Sequence, residues 1–354
     1  MPTPFTLHHL RFHAEVQTTI VMDAFKGSAL RGAWQSHLRT LYCAQAAAGP
    51  GQAGAADSLH QAMCPVCFLL SRETGHGDDR RPYAFQPPLT PQTTFQPGER
   101  FSFGISVFGS AIQFLPYLVL AVAQMGQHQG LGRPIHEARD CGDADPRARA
   151  IQGTGRLRRG TFRLAGIDEV NPLSGEERVL LAEGGNMVSM PALPVTQSQV
   201  AAASQEALEA LTVRGGRLAL DFLTPTRIVQ CEVLVHQPHF APLFARLLGR
   251  IDALRRQFSD EPPLDSDEKH ALLSLADQVQ LAADGTRWWD VHGRSTRLER
   301  SQPLGGYVGR AVYEVPAGTG AAWAPLLPWL LWGSCTQLGK NVVKGCGLYR
   351  MEVV

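Results

Sequence analysis

The chain has 354 residues, of which 44% are hydrophobic and 18% are charged, and its formal net charge is +1. This length allows two domains with separate cores, and the composition is typical of a soluble globular protein and excludes a supercharged nucleic-acid binder. Only four of the 33 basic residues are lysines. The arginine excess suits RNA binding, because guanidinium groups bind phosphate through two hydrogen bonds and stack on bases. A GC-rich genome produces the same excess, so both explanations stay open.

Neither a targeting segment nor a membrane span is predicted. Residues 1–11 have no charged stretch followed by an apolar one, so we expect no signal peptide. The apolar stretches 114–125 and 323–332 are too short to cross a bilayer and are typical of core helices. Seven cysteines, an odd number, argue against a secreted disulfide framework. We therefore expect a cytoplasmic protein with no membrane partner.

The hydrophobic pattern of the first half predicts the order strand, helix, strand, strand, helix, strand. Its clearest signal is the segment 100–108, in which every second residue is a large apolar one. The predicted strands lie near 5–16, 83–86, 100–108 and 161–167, and the predicted helices at 27–42 and 111–125.

The second half repeats this order. Its predicted strands are 217–229, 287–291, 306–315 and 348–354, and its predicted helices are 240–258 and 323–338. Two βαββαβ units in series predict an α+β protein with tandem ferredoxin-like domains, the fold type of RNA-recognition modules. We expect an N-terminal domain over 1–190 with a cysteine-containing insertion, a connection over 191–214 and a C-terminal domain over 215–354.

A glycine-rich segment with two lysines separates the last predicted helix from the last strand. It covers 339–349 and includes Lys340, Lys344, Gly345 and Gly347. Glycine lets backbone N–H groups approach an anion closely, and lysine adds a charge that attracts phosphate. The segment therefore predicts an RNA-binding loop, although a glycine-rich turn before a strand is also a common structural element.

A second basic segment precedes the strand that closes the first half. It contains six arginines between 147 and 163, among them Arg158 and Arg159, and such a run can follow a phosphate backbone. The alternative is a solvated loop whose charge is partly balanced by Asp140, Asp143 and Asp145. We take Arg158 and Arg159 as candidate RNA contacts.

Three cysteines have a spacing suited to a metal ion. Cys64 and Cys67 form a Cys-x-x-Cys pair, which can present two thiolates to one Zn²⁺, and Cys43 can add a third. His60 and His76 are near in the sequence, and one histidine would complete the set. We expect a structural zinc held by Cys43, Cys64, Cys67 and His76; the alternative is ordinary loop thiols.

Eight short segments, in this order along the chain, resemble one family: the CRISPR-associated endoribonucleases that cut precursor guide RNA, members of the RAMP superfamily. The segments are 25–32, 63–67, 81–88, 97–109, 223–227, 287–290, 304–306 and the glycine-rich segment 339–349. The resemblance implies tandem ferredoxin-like domains, an RNA substrate and cleavage that requires no metal or other cofactor. It also implies CRISPR repeat RNA or guide RNA as partner, together with other CRISPR effector subunits.

The chemistry implied by the resemblance is attack of a ribose 2′-OH on the adjacent phosphate, which leaves a 5′-OH end and a 2′,3′-cyclic phosphate or 3′-phosphate end. A base, an acid and a cation that stabilises the phosphorane are needed. His37 is the first candidate, because family members often carry a catalytic histidine on or beside the first helix. The alternative is that His37 fills space, because Leu30, Trp34, His37 and Leu41 form an apolar helical stripe.

His292 is the second candidate for proton transfer. Its segment combines Trp288 and Trp289 with Arg294 and Arg297, which suits base stacking and phosphate contact. The alternative is a surface turn after a strand whose tryptophans belong to the core. The remaining candidates are Lys340 and Tyr42 for catalysis and Arg31 for RNA binding.

One position departs from the pattern of the family. Many relatives have a histidine just before the Gly-Lys of the terminal loop, where this chain has Gln337. Glutamine can bind a phosphate oxygen but cannot transfer a proton. The departure keeps an alternative function open, that of a non-catalytic RNA-binding subunit of a CRISPR effector complex.

Overall fold

The computed structural model describes residues 3–43, 60, 63–70, 80–136, 157–295, 300–315 and 320–354. The strands are β1 (Leu7–Val16), β2 (Ile20–Val21), β3 (Tyr83–Gln86), β4 (Thr94–Phe95), β5 (Arg100–Phe108), β6 (Leu131–His136), β7 (Leu157–Gly160), β8 (Phe162–Val170), β9 (Glu177–Leu181), β10 (Arg217–Thr226), β11 (Ile228–Gln230), β12 (Val233–Val235), β13 (Gln280–Trp289), β14 (His292–Ser295), β15 (Arg300–Pro303), β16 (Gly306–Glu314) and β17 (Tyr349–Val353). The α-helices are α1 (Gly27–Tyr42), α2 (Pro65–Leu70), α3 (Leu115–Gln124), α4 (Gln197–Arg214), α5 (Phe240–Phe258), α6 (Ser266–Ala276) and α7 (Leu327–Thr336).

Two antiparallel sheets organise the chain. The first has the order β3-β5-β1-β8-β9 and the second the order β13-β16-β10-β17. The main strands are β1, β3, β5 and β8 in the first half and β10, β13, β16 and β17 in the second. When each set is numbered one to four along the chain, the spatial order in both sheets is two, three, one, four. Each half also places one helix after its first strand and one after its third. This is the ferredoxin-like arrangement, so the prediction of an α+β protein with two such units is confirmed.

The main strands and helices could be predicted from the sequence because each has an apolar face that is buried. In β5, Phe101, Phe103, Ile105 and Val107 are buried in the hydrophobic core. The predicted bounds of α1 and α5 agree with the structure at both ends. The predicted helix 111–125 is longer, because it begins as the 3₁₀ turn Gly109–Phe114 and continues as a π-helical turn to Gln129.

The stretch expected as a connection contains α4, a helix that the sequence analysis did not predict. Its start is fixed by a capping box, in which the Thr196 side chain accepts from the N–H of Gln199 and the Gln199 side chain accepts from the N–H of Thr196. It ends at Gly215, whose φ of 90° favours glycine. The helix packs against α7 and β17, so part of the expected connection is a helix that packs on the second half of the chain.

The cores of the two halves are continuous. Phe5 packs on Trp332 with ring centroids 5.1 Å apart, and Phe68 of α2 packs on Phe258 of α5 at 6.2 Å. Gln337 adds a buried hydrogen bond between the halves, because its side-chain Nε2 donates to the carbonyl oxygen of Phe85 at 2.8 Å. The first and second halves are therefore held in a defined orientation by buried contacts.

One helical stretch in the described part of the chain, Gly109–Gln129, is long and apolar enough to cross a membrane by length and composition. Half of its most apolar window is buried inside the protein, where Leu118 and Val122 belong to the core. Core helices of soluble proteins meet the same criterion, so this stretch is weak support for a membrane span.

Candidate functional site

The start of α1, the β14–β15 hairpin and the terminal glycine-rich loop meet at one place. Gly27 lies so close to this loop that a Cβ atom there would overlap the carbonyl oxygen of Lys344. A Cβ atom at Gly293 of the hairpin would lie 3.1 Å from Ser28 Oγ. Lys344 Nζ donates to Oε1 of Gln302 in β15 at 2.9 Å. Three segments distant in sequence therefore form one surface, which we call the loop surface.

A small buried apolar cluster stabilises the loop surface. Phe25 just before α1, Leu304 just after β15 and Cys346 of the loop are buried together, and Trp289 and Val291 pack against them. Phe25 meets Trp289 edge-on with ring centroids 6.2 Å apart. Burial raises the pKa of the Cys346 thiol to about 12, which keeps it protonated. Cys346 therefore acts as a small apolar residue.

Gly345 and Gly347, which the sequence predicts as RNA-binding residues, also have a role within the fold. Their φ values are 87° and 77°, which favour glycine. Their N–H groups donate to the carbonyl oxygens of Val342 and Pro225, at 2.8 and 3.1 Å. A Cβ atom at Gly347 would also overlap the carbonyl oxygen of Leu338. These glycines shape and dock the loop, and their N–H groups are already used within the protein.

Two of the three lysines near the loop surface are constrained. Lys340 is exposed, whereas Lys344 is half-buried and bound to Gln302. Lys26, which precedes α1, is fully buried, and its Nζ donates to the carbonyl oxygens of Ala24 and Thr90 at 3.1 and 2.7 Å. Burial lowers the pKa of Lys26. Lys26 lies within the segment 25–32 but is not among the site residues predicted from the sequence.

His37 lies away from the loop surface. It follows Ser28 by nine residues, which is about 14 Å along the axis of α1. It is buried in the predicted apolar stripe with Leu30 and Trp34. Neither ring nitrogen has a hydrogen-bond partner among the described residues. Burial, and secondarily the nearby His128, lower the pKa of His37, so the ring is neutral at pH 7.

Tyr42 is at the last turn of the same helix. Its ring packs edge-on against Tyr117 of α3, with centroids 5.8 Å apart. Burial, and secondarily Tyr117, raise the pKa of Tyr42, so its hydroxyl keeps its proton near neutrality. The end of α1 therefore carries a neutral histidine and a protonated tyrosine.

His292 is exposed at the first position of β14, beside the loop surface. The neighbouring tryptophans are half-buried, and Trp288 is already in contact on its ring face. The ring of His236 lies 4.7 Å from it and the guanidinium of Arg227 5.9 Å from it. The two tryptophans therefore offer RNA less open ring surface than the sequence alone indicates.

The candidate arginines are spread over different surfaces. Arg31 lies on α1 just over one turn after Gly27, near the loop surface. Arg158 and Arg159 are exposed on β7, which pairs with β6, and Arg159 also donates to the carbonyl oxygen of Gly132 at 3.0 Å. The Arg294 side chain and all of Arg297 lie outside the described residues.

The three predicted metal-binding cysteines do come together. One ligand atom each from Cys43, His60, Cys64 and Cys67 lies within 4.8 Å of the others. The histidine in this group is His60, whereas the sequence analysis selected His76, which lies outside the described residues. The spacing of residues in the sequence allowed both choices.

Gln337 takes part in a contact inside the protein. It is fully buried with a φ of 62°, and its amide nitrogen is bound to the carbonyl oxygen of Phe85. Its side chain joins the two halves and is not placed to contact phosphate.

Two family models match the chain. One, described as the CRISPR-associated endoribonuclease Cas6, matches residues 220–349, and the other, described as an N-terminal domain (AF_1859_N), matches residues 5–193. No curated protein matches the chain by sequence.

Several solved structures are similar in fold. A product complex of Thermus thermophilus Cas6 (TTHB231) has a TM-score of 0.54 at 12% identity, covering 98% of this chain and 99% of the other. The same Cas6 in another structure gives 0.52 at 14% identity with the same coverage. A chain of a partial Cas6-RT-Cas1–Cas2 complex gives 0.57 at 10% identity, covering 100% of this chain and 47% of the other. At these identities the likeness is one of fold.

Proposed function

The chain belongs to the RAMP-type family of CRISPR-associated RNA-processing proteins, and on this basis we propose that it cuts CRISPR repeat RNA to produce guide RNA. The family model of an endoribonuclease over 220–349 supports this proposal, as does the fold shared with a Cas6 product complex. The protein would act in the cytoplasm, with repeat RNA as substrate and guide RNA as product. The similarity to a chain of a Cas6-RT-Cas1–Cas2 complex supports contacts with other CRISPR proteins.

The main support for a catalytic role is that His37 is buried without a hydrogen-bond partner among the described residues and has a lowered pKa. A buried polar group without a hydrogen bond costs about 1–3 kcal/mol, and an apolar side chain at this position in the stripe would avoid that cost. A buried polar group without a partner in a folded protein requires an explanation, and a catalytic role is one that fits a histidine. The lowered pKa keeps the imidazole unprotonated at neutral pH, which is the form that a general base requires.

We assign the proton taken from the ribose 2′-OH to His37. The O2′–P bond forms as the P–O5′ bond breaks, and the leaving O5′ must receive a proton. Tyr42, on the same end of α1 as His37, keeps its proton near neutrality and is our candidate acid. Lys340 lies at the loop surface, away from His37, and would serve as the acid if His292 were the base. Lys344 and Arg31 would counter the charge of the phosphates. All of these roles belong to side chains, so the proposed reaction is metal-independent.

One observation favours a second function, that of an RNA-binding subunit without catalysis. Relatives often have a histidine near the terminal loop, whereas Gln337 here is buried and bound to Phe85. His37 is itself only 3% exposed, so RNA can reach its ring only if neighbouring groups move. The loop surface would still bind guide RNA in this case.

A single assay separates the two functions. The protein is mixed with end-labelled repeat RNA in EDTA, in parallel with the same RNA carrying one 2′-deoxy nucleotide at the cut position. We expect cleavage of the first RNA only, with equal binding of both and a downstream product that polynucleotide kinase labels without prior phosphatase treatment. Tight binding of both RNAs without cleavage would establish the second function, and cleavage of the deoxy RNA would refute 2′-OH attack.

A further inference from the structure

The group formed by Cys43, His60, Cys64 and Cys67 has the dimensions of a tetrahedral zinc site. Cys43 Sγ lies 3.7 Å from Cys67 Sγ and 3.4 Å from His60 Nε2. With Zn–S near 2.3 Å and Zn–N near 2.0–2.1 Å, a tetrahedron has S–S edges of about 3.8 Å and S–N edges of about 3.6 Å. The observed distances match both kinds of edge. They also exclude a Cys43–Cys67 disulfide, which requires about 2.05 Å.

Local helical geometry explains how three of the ligands reach one point. The N–H of Cys64 donates to the carbonyl oxygen of His60, and the N–H of Phe68 donates to that of Cys64, both at 2.8 Å. Residues four and three apart on such a turn lie on one face. His60, Cys64 and Cys67 therefore face the same side, and Cys43 approaches from the end of α1.

We propose that this group binds one Zn²⁺ through three thiolates and the imidazole of His60. Four protein ligands leave no position for water or substrate, so the ion is structural and takes no part in RNA cleavage. This inference is independent of the proposed function, because it rests on ligand geometry alone.

The proposed ion would join two parts of the fold. Cys43 directly follows Tyr42 at the end of α1, and Cys67 lies in α2. In α2 the neighbouring Phe68 packs on Phe114 at 5.0 Å and on Phe258 of the second half at 6.2 Å. Zinc therefore fixes the end of α1 to the shared core. Binding to the folded state alone raises stability by mass action, so removal of the ion lowers the melting temperature.

The first test uses the unmodified protein. Elemental analysis after reconstitution should give one zinc per chain, and Co²⁺ in its place should give the intense visible bands of a tetrahedral site with sulfur-to-cobalt charge transfer. Alkylation followed by mass spectrometry should modify Cys231, which is exposed, at once, and Cys64, the half-buried ligand cysteine, only after a strong chelator is added. Far less than one zinc per chain, or equal alkylation with and without zinc, would overturn the proposal.

Variants identify the ligands. Cys64→Ser should lose the zinc and His60→Gln should release it to a weaker chelator, whereas the control Cys231→Ser should keep it. His76→Gln separates the ligand predicted from sequence from the one found in the structure, and we expect it to retain the metal. Zinc that survives Cys64→Ser, or that is released by His76→Gln and not by His60→Gln, would refute this ligand set.

Discussion

The two ends of α1 are built in different ways. At its start, Gly27 touches the backbone of the terminal loop, and Lys26 is bound by two carbonyl oxygens. At its end, His37 has no hydrogen-bond partner among the described residues, and Cys43 adjoins other possible metal ligands. The start is defined by close backbone contact and the end by the chemistry of particular side chains. The start should therefore be sensitive to added volume, and the end to the loss of a functional group.

The largest effect is expected at the end of the helix. His37→Asn should slow single-turnover cleavage by about 10²-fold or more, because a general base is lost, while RNA affinity changes little. The control is His270→Asn, which alters an exposed histidine on α6. Normal cleavage by the His37 variant would move the assignment of the base to His292. A parallel loss of affinity and rate would mean that His37 supports the binding surface.

The start of the helix should respond to volume. Gly27→Ala places a Cβ atom against the Lys344 carbonyl oxygen, and we expect it to destabilise the protein by about 1–3 kcal/mol because backbone must move. Gly32→Ala is the matched control: the same change in the same helix, where nothing lies within 4 Å. It should stabilise by up to about 1 kcal/mol, because alanine favours helix. Urea unfolding measures both, and equal effects would contradict a tight contact at Gly27.

A second buried histidine tests whether burial alone marks function. His9 Nδ1 lies 2.8 Å from both Gln86 Nε2 and Ser106 Oγ. One nitrogen of this ring therefore has partners, whereas neither nitrogen of His37 has one among the described residues. Burial, and secondarily His8, lower the pKa of His9 to about 3. The unfolded chain takes up a proton below about pH 6.5 and the folded chain only near pH 3. The stability due to His9 is therefore complete above pH 6.5 and is lost as the pH falls towards 3.

Between these limits each pH unit should cost up to about 1.4 kcal/mol of unfolding free energy. Urea unfolding at pH 7, 6 and 5 measures the slope, which should be smaller in His9→Gln than in the wild type or in His270→Gln. Cleavage at pH 7 should change little in His9→Gln, because the ring has a structural role. A slope that His9→Gln leaves unaltered would show that His9 is protonated in the folded protein.

Sequence periodicity predicted the two sheets and α1 because each buries one apolar face, as Phe101 and Phe103 in β5 illustrate. It could not predict the contact between Gly27 and Lys344, because no local pattern records which distant segments meet. The glycine content of 339–349 predicts backbone N–H groups that are open to phosphate, whereas those of Gly345 and Gly347 donate to carbonyl oxygens of the fold. For α4 the sequence does contain a signal, because Thr196 and Gln199 have the residue types and the spacing of a capping box.

For the metal ligands, too, sequence spacing predicts only part of the arrangement. Spacing identified Cys64 and Cys67 as a pair but did not distinguish His60 from His76. The choice follows from the helical turn that places His60 four residues before Cys64 on the same face. A tertiary contact then adds Cys43. Local geometry can be inferred from sequence once the helix is known, whereas the contact that closes the site cannot.

The smallest expected effect concerns the charge of the loop surface. Each lysine contact to a phosphate of single-stranded RNA contributes about 0.7 to the slope of log affinity against log salt, so Lys340→Ala/Lys344→Ala should lower the slope by up to about 1.4. Lys340 is exposed and should contribute fully, whereas Lys344 already donates to Gln302 and should contribute less. The matched control is Lys269→Ala, which changes an exposed lysine on α6 and should leave the slope unchanged. If the double variant and the control have the same slope, the loop is a structural turn and its lysines do not bind RNA.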